Sequence, residues 1–213
     1  MTPTIMTPSL EQLLGISPPD LGAVPAVAPV KSAASEATQQ APGRPRMRFS
    51  FLFFSDVCKY VDDASKYAFM REVTLFADCA GFEAVYLPER HFHEFGSIYA
   101  NPAIMAAHLI PQTARIRFRT AGISLPLHHP AEVVEWWAMN DVLSNGRIDL
   151  GFGSGWSRQD FIYAPGNYAD RRQICTDTIP VVQRLWRGDS VSFSGPGGTP
   201  VPVRDFRGPC RPS

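Results

Sequence analysis

The spacing of apolar residues changes character near residue 46. Before it, prolines stand at 3, 8, 18, 19, 25, 29, 42 and 45, separated mainly by small and polar residues. Such a segment buries too little surface to offset its ordering entropy, so residues 1–45 are expected to form a disordered Pro/Ala-rich tail or linker. Residues 9–15 alone there have helical spacing, and a transient turn is expected.

From Arg46 onward, strand and helix signals alternate. Residues 47–54 are a continuous apolar run, as in a strand buried on both faces. Asp62 and Asp63 start a helix with an apolar face of Ala68, Leu75, Phe76 and Cys79, and Gly81 ends it. Residues 83–87 form a second strand, stopped by Pro88 and followed by a loop over 88–97. Asn101-Pro102 opens a second helix through Ala107, Leu109 and Ile110. Residues 116–125 are a third strand. Pro130 opens a third helix that buries Val133, Val134, Trp137 and Ala138, and Ser144-Asn145-Gly146 is a turn. Residues 147–153 are a fourth strand. A polar loop leads to a fourth helix over 168–186, ended by Gly188. The Gly/Pro-rich stretch 190–203 suits a hairpin insertion.

Four βα units in series imply a parallel sheet with right-handed crossovers. A doubly wound sheet and part of a (β/α)8 barrel both fit this order. The first βα turn, Ser55-Asp56-Val57-Cys58-Lys59, lacks the glycines a dinucleotide fingerprint needs. Function in a barrel sits on the loops after the strands. Here those loops are polar, aromatic and glycine-rich, so the barrel is preferred.

Composition narrows the picture. The 213 residues allow one domain with a tail, and 45% apolar content is enough for a core. Twenty Lys and Arg balance twenty Asp and Glu, which argues against nucleic acid or an anionic membrane as partner. No run of about eighteen apolar residues is present to span a membrane. Cys58, Cys79, Cys175 and Cys210 form no CxxC pair, as expected of reduced thiols in a cytoplasmic protein.

Three loops could carry chemistry. Glu89-Arg90-His91-Phe92-His93-Glu94 follows the second strand. His91 can exchange protons near neutral pH and Arg90 can fork around an anion, against the plainer reading of solvated ion pairs. A metal site could draw only on Glu89, His91, His93, Glu94 and His128 or His129. Gly122, inside the third strand, marks close approach of backbone to a ligand or an unusual peptide geometry, against the plainer reading of a bulge that only shapes the barrel. His128 and His129 flank a helix start, where a cap or core contact is expected. Gly151-Phe152-Gly153-Ser154-Gly155-Trp156 removes side chains where a flat ring could lie on backbone.

Three motifs resemble the bacterial-luciferase-like flavin-dependent monooxygenases, in particular members associated with natural-product assembly lines. They are Leu87-Pro88-Glu89-Arg90-His91-Phe92-His93, Leu125-Pro126-Leu127-His128-His129-Pro130 and Ser144 through Gly153. The resemblance runs over about 47–203. It implies a (β/α)8 barrel of which this chain holds the N-terminal half, about four βα units. It also implies reduced flavin mononucleotide at the C-terminal mouth and a flavin reductase that supplies it. A small-molecule or carrier-bound substrate would be oxygenated with O2, in secondary metabolism. A deazaflavin is the other cofactor these motifs allow. By residue, it implies that Ala121 and Gly122 lie under the flavin ring, where relatives have a cis non-proline peptide. Gly153, Ser154, Gly155 and Trp156 would line the flavin, and Arg90 and His91 would form the catalytic position. Luciferase has its catalytic histidine where Arg90 stands and a reactive cysteine where Gly153 stands, so light emission is not implied.

A complete barrel needs roughly 250 residues. Residues 204–213 look unlike the family, and a truncated or frameshifted reading is expected. In a half barrel, Phe51, Phe53, Val85, Ile123 and Phe152 would line an open inner face, and self-association into a homo-oligomer is expected. A non-catalytic remnant and a metal-dependent hydrolase are the competing readings.

Overall fold

The structure, a computed structural model, describes residues 47–54, 61–96 and 98–205. All belong to one compact unit, Arg46–Ser213. The expected tail over 1–45, the turn over 55–59 with Cys58, and residues 206–213 with Cys210 lie outside the described residues.

Four strands form a parallel sheet in the order β1 (Ser50–Leu52), β2 (Ala84–Leu87), β3 (Arg117–Thr120) and β5 (Ile148–Asp149). Beyond breaks in the chain, β4 (Ile123–Ser124) and β6 (Phe152–Gly153) continue the pairing in parallel, Ile123 opposite Phe152 and Ser124 opposite Gly153. The third and fourth expected strands are thus each divided in two. At the break, the Thr120 hydroxyl stands in for ladder bonds. It donates to the Gly151 carbonyl at 2.8 Å and accepts from the Gly151 N–H at 2.7 Å.

Helices α1 (Asp63–Ala80), α2 (Pro102–Leu109), α3 (Pro130–Ser144) and α4 (Arg171–Trp186) follow successive strands. Their caps are those the sequence signals. The Asp62 carboxylate accepts from the Ser65 N–H at 2.9 Å, and Gly81 closes α1 at φ 79°. Asn101 caps α2 through the N–H groups of Ala103 and Ile104. His129 caps α3 through the Ala131 N–H, and Asn145 ends it in the left-handed region. Strands β7 (Val191–Ser194) and β8 (Pro200–Val203) form the expected antiparallel hairpin.

Three expectations are corrected. Residues 47–54 are not buried on both faces: Met47, Phe49, Leu52 and Phe54 are exposed while Phe53 is buried, because strand side chains alternate and Leu52 lies with Tyr86 on the face opposite the core. The buried face of α1 is Met70, Thr74, Ala77 and Asp78, whereas Ala68, Phe76 and Cys79 are exposed. Asp78 turns this face inward. Its carboxylate accepts from the N–H groups of Ala114, Arg115 and Ile116 at 3.0, 2.7 and 2.6 Å, satisfying the backbone that enters β3.

The third correction concerns the inner face. The register aligns Phe51, Val85, Phe118 and Ile148 on one face of the sheet, and buried Val85, Phe118 and Ile148 belong to the main hydrophobic core. The opposite face carries Tyr86, Arg117, Arg119 and Asp149. Arg119 bonds Asp149 at 2.9 Å, Glu83 at 2.9 Å and the Tyr86 hydroxyl at 3.1 Å, and Arg117 grips Asp149 with two bonds of 2.7 Å. The face expected to be apolar is therefore a ladder of ion pairs. Among the described residues, no helix is long and apolar enough to cross a membrane.

Candidate active site

Strand β2 delivers Glu89 to the C-terminal edge of the sheet, and Pro88 turns the chain into a loop there. The Glu89 side chain is almost wholly buried. Its Oε1 accepts from His91 Nε2 at 2.9 Å and from His128 Nε2 at 2.6 Å, and its Oε2 accepts from the Ser124 N–H at 2.8 Å. An ionised carboxylate can only accept, so each imidazole carries a proton on Nε2. Burial alone would raise the Glu89 pKa. Hydrogen bonds from His128 and His91, the His128 charge and the Ser124 N–H outweigh it and bring the value to about 2. For His128, burial lowers the pKa, but the Glu89 bond and charge reverse this and leave it above the ordinary imidazole value.

These three groups form the polar end of a cavity of about 400 Å³, a size ordinary for small-molecule sites. Trp136, Trp137 and Tyr163 supply aromatic wall. Tyr163 stands edge-on to His91 with ring centroids 5.2 Å apart, and Trp136 meets His128 the same way at 5.7 Å. The arrangement can hold an organic ring away from water and exchange a proton with it.

Of the expected catalytic pair, only His91 faces this cavity. The Arg90 guanidinium lies over the rings of Phe54, Phe95 and Trp156, 5.1, 5.5 and 5.0 Å from their centroids. His93 turns to buried Asp160 at 3.1 Å and lies against Trp156. The chain after β2 thus reaches Trp156 through Arg90 and His93. Among the described residues no group of three or more His, Cys, Asp or Glu could hold a metal ion.

The Ala121–Gly122 peptide is cis, at the break between β3 and β4. A Cβ at Gly122 would stand 3.0 Å from the Gly151 carbonyl oxygen, so this glycine serves close approach of two strands. The unusual peptide geometry that the glycine suggested is present at this position. At Gly153, by contrast, an added Cβ would meet only the Ile123 carbonyl oxygen at 3.9 Å. Gly155 sits at φ 71° over Phe161, and Trp156 is exposed. The strip Gly153-Ser154-Gly155-Trp156 therefore has open backbone at Gly153, where a flat ring such as a flavin has room, and is covered by the Phe161 ring at Gly155. It does not line the cavity.

Residues 47–212 match the family described as luciferase-like monooxygenase. The chain belongs to the luciferase-like monooxygenase family. Among curated relatives, it is 33% identical over 146 residues to the oxygenase component of the flavin-dependent trigonelline monooxygenase of Acinetobacter baylyi, covering 67% of this chain and 40% of that protein. Among solved structures, monooxygenase RslO1 from Streptomyces bottropensis superposes with a TM-score of 0.67 at 24% identity, over 76% of this chain and 52% of that one. The oxygenating constituent of 3,6-diketocamphane monooxygenase from Pseudomonas putida, solved with FMN, gives 0.65 at 17% identity over 75% and 44%. The fold is thus that of the luciferase-like barrels, and this chain forms part of one. It spans about two fifths of the relative's length and about half of the first structure's.

Two members of the site were legible only in part. Glu89 entered the sequence reading as a metal ligand, and His128 as a metal ligand or as a cap or core residue. The available signal was their place, each just past the end of a successive parallel strand. Tyr163 had no signal at all. The third motif is structural in its middle. The Arg147 guanidinium bonds the carbonyls of Ile110, Thr113, Ser144 and Ile116, tying the turn after α3 to the chain before β3.

Proposed function

We propose that this chain is the catalytic part of a two-component, flavin-dependent monooxygenase. Reduced flavin mononucleotide from a separate reductase would lie along Gly153-Ser154-Gly155-Trp156, beside the cis Ala121–Gly122 peptide. When bound, the flavin supplies electrons and activates O2. Family membership supports this reading, as do the relative that is an oxygenase component and the FMN-bound structure of the same fold.

The observation that carries the proposal is the buried Glu89–His91–His128 cluster at the same strand ends as the glycine strip. His91 would hold or move a proton at Nδ1, the ring nitrogen not bonded to Glu89. Trp136, Trp137 and Tyr163 would exclude water and orient an organic substrate. Arg90 would brace Trp156 from the far side of the loop. The substrate would be a small or carrier-bound molecule of secondary metabolism, in the cytoplasm.

The test is oxygen uptake by the 213-residue chain with a flavin reductase, NADH and FMN, compared with the reductase alone. Substrate candidates are followed by mass for the gain of one oxygen atom. A flavin-dependent product carrying that atom supports the reading. Absence of flavin binding and of any product would leave the non-catalytic alternative. Binding of a deazaflavin in place of FMN would reassign the cofactor.

A further inference from the structure

The Glu89 carboxylate does more than pair with one neighbour. Its two oxygens reach three pieces of chain: the loop after β2 through His91, the turn before α3 through His128, and β4 through the Ser124 N–H. Both imidazole bonds fall on one oxygen, Oε1. Neither imidazole has another hydrogen-bond partner among the described residues.

We propose that Glu89 is the positioning residue of this cavity: by accepting the Nε2 proton of both His91 and His128, it leaves their Nδ1 atoms as the ring nitrogens that exchange protons with a bound ligand. The physical reason is the tautomer rule. A neutral imidazole has one donor and one acceptor nitrogen, and the partner of one nitrogen decides the role of the other. Neutral His91 then presents a lone pair at Nδ1. His128, when protonated, presents an N–H at the same atom. Without the carboxylate, either ring could flip its tautomer or turn over.

The charged and titratable groups about the two rings are Glu89, Glu132 on α3 and Tyr163. Glu89 is the one bonded to both imidazoles, and its bond and charge are the larger influences that favour protonated His128, ahead of Glu132. The role in turnover rests on the oxygenase reading above; the tautomers do not.

The experiment uses the whole chain labelled with ¹⁵N-histidine, without flavin or substrate. Long-range ¹H–¹⁵N spectra across pH 5–9 report which ring nitrogen carries the proton. The five histidines are assigned by single substitutions. Wild type is expected to show His91 and His128 as Nε2–H tautomers once deprotonated, with the His128 midpoint above the ordinary imidazole value. In Glu89→Leu both acceptor oxygens are lost, whereas a glutamine oxygen in the place of Oε1 could still accept from both rings. At least one of the two rings is then expected to mix tautomers, and the His128 midpoint to fall, with His93, His108 and His129 unmoved. A wild-type ring with its proton on Nδ1 would overturn the proposal even if the variant does not fold. So would unchanged spectra in a folded Glu89→Leu. Because no flavin is present, failure of oxygen uptake would sink the oxygenase reading and leave this result standing.

Discussion

A Cβ added at Gly151 would end 2.7 Å from the Thr120 carbonyl oxygen, closer than real Cβ contacts come. The atom in the way is backbone, so a strand must move. Gly151→Ala is expected to lose about 1–3 kcal/mol, as overpacked sites do, measured by urea unfolding. An unchanged midpoint would show that the break between the strand halves can spread at no cost. His91→Ala should lower oxygenation roughly 10²–10⁴-fold, the usual contribution of a proton-transfer group, with flavin affinity little changed. Equal turnover in wild type and variant would reduce His91 to a wall of the cavity. The Glu89–His128 pair also sets a pH window. The depressed Glu89 pKa adds stability that is complete above its ordinary 4.5 and lost as pH falls toward about 2. The raised His128 pKa adds stability that is complete below its ordinary 6.5 and lost as pH rises through the folded value. The stability difference between wild type and Glu89→Gln should therefore peak between pH 4.5 and 6.5 in urea titrations. A difference that grows steadily from pH 5 to 9 would contradict it.

Among the elements, α1 shows how a polar residue can set a helix's orientation. The apolar residues Ala68, Leu75, Phe76 and Cys79 nominate one face. The observed face is rotated so that Asp78 receives three backbone N–H groups. Burial works against the charged carboxylate, but the three N–H groups outweigh it and hold its pKa below the usual range. Asp78→Ala should cost about 3 kcal/mol, since it strands N–H groups that the chain has buried. A loss below about 1 kcal/mol would mean that water replaces the carboxylate. The caps at Asp62, Asn101 and His129 were legible because capping is local: the acceptor lies within three residues of its donors. The face of α1 was not, because its partners lie 36 to 38 residues away.

For the whole molecule, the inner face changes the argument about association but not its outcome. That face is held by its own ion pairs, so it gives little apolar drive for a second copy. Exposed apolar side chains lie at its β1 margin, Phe49, Leu52 and Phe54, and on α2 and α3, Ile104, Met139 and Leu143. An open edge strand with apolar neighbours is a pairing surface. The 213-residue chain is expected to run as a dimer or larger by size-exclusion chromatography with light scattering. A monomer at 23.5 kDa would end that expectation.

The order of strands and helices was determined by the sequence alone, because periodicity, caps and turn residues are written within a few positions of one another. So was the family, through motifs at the strand ends. Which face of each strand meets the helices was decided only by the tertiary register. A continuous apolar run such as 47–54 shows no alternation to separate core from edge. The site was divided in the same way. His91 was nominated by its chemistry. Its link to Glu89 and His128 required two strand ends to be brought side by side, and a carboxylate with two imidazoles becomes one unit only at hydrogen-bond distance.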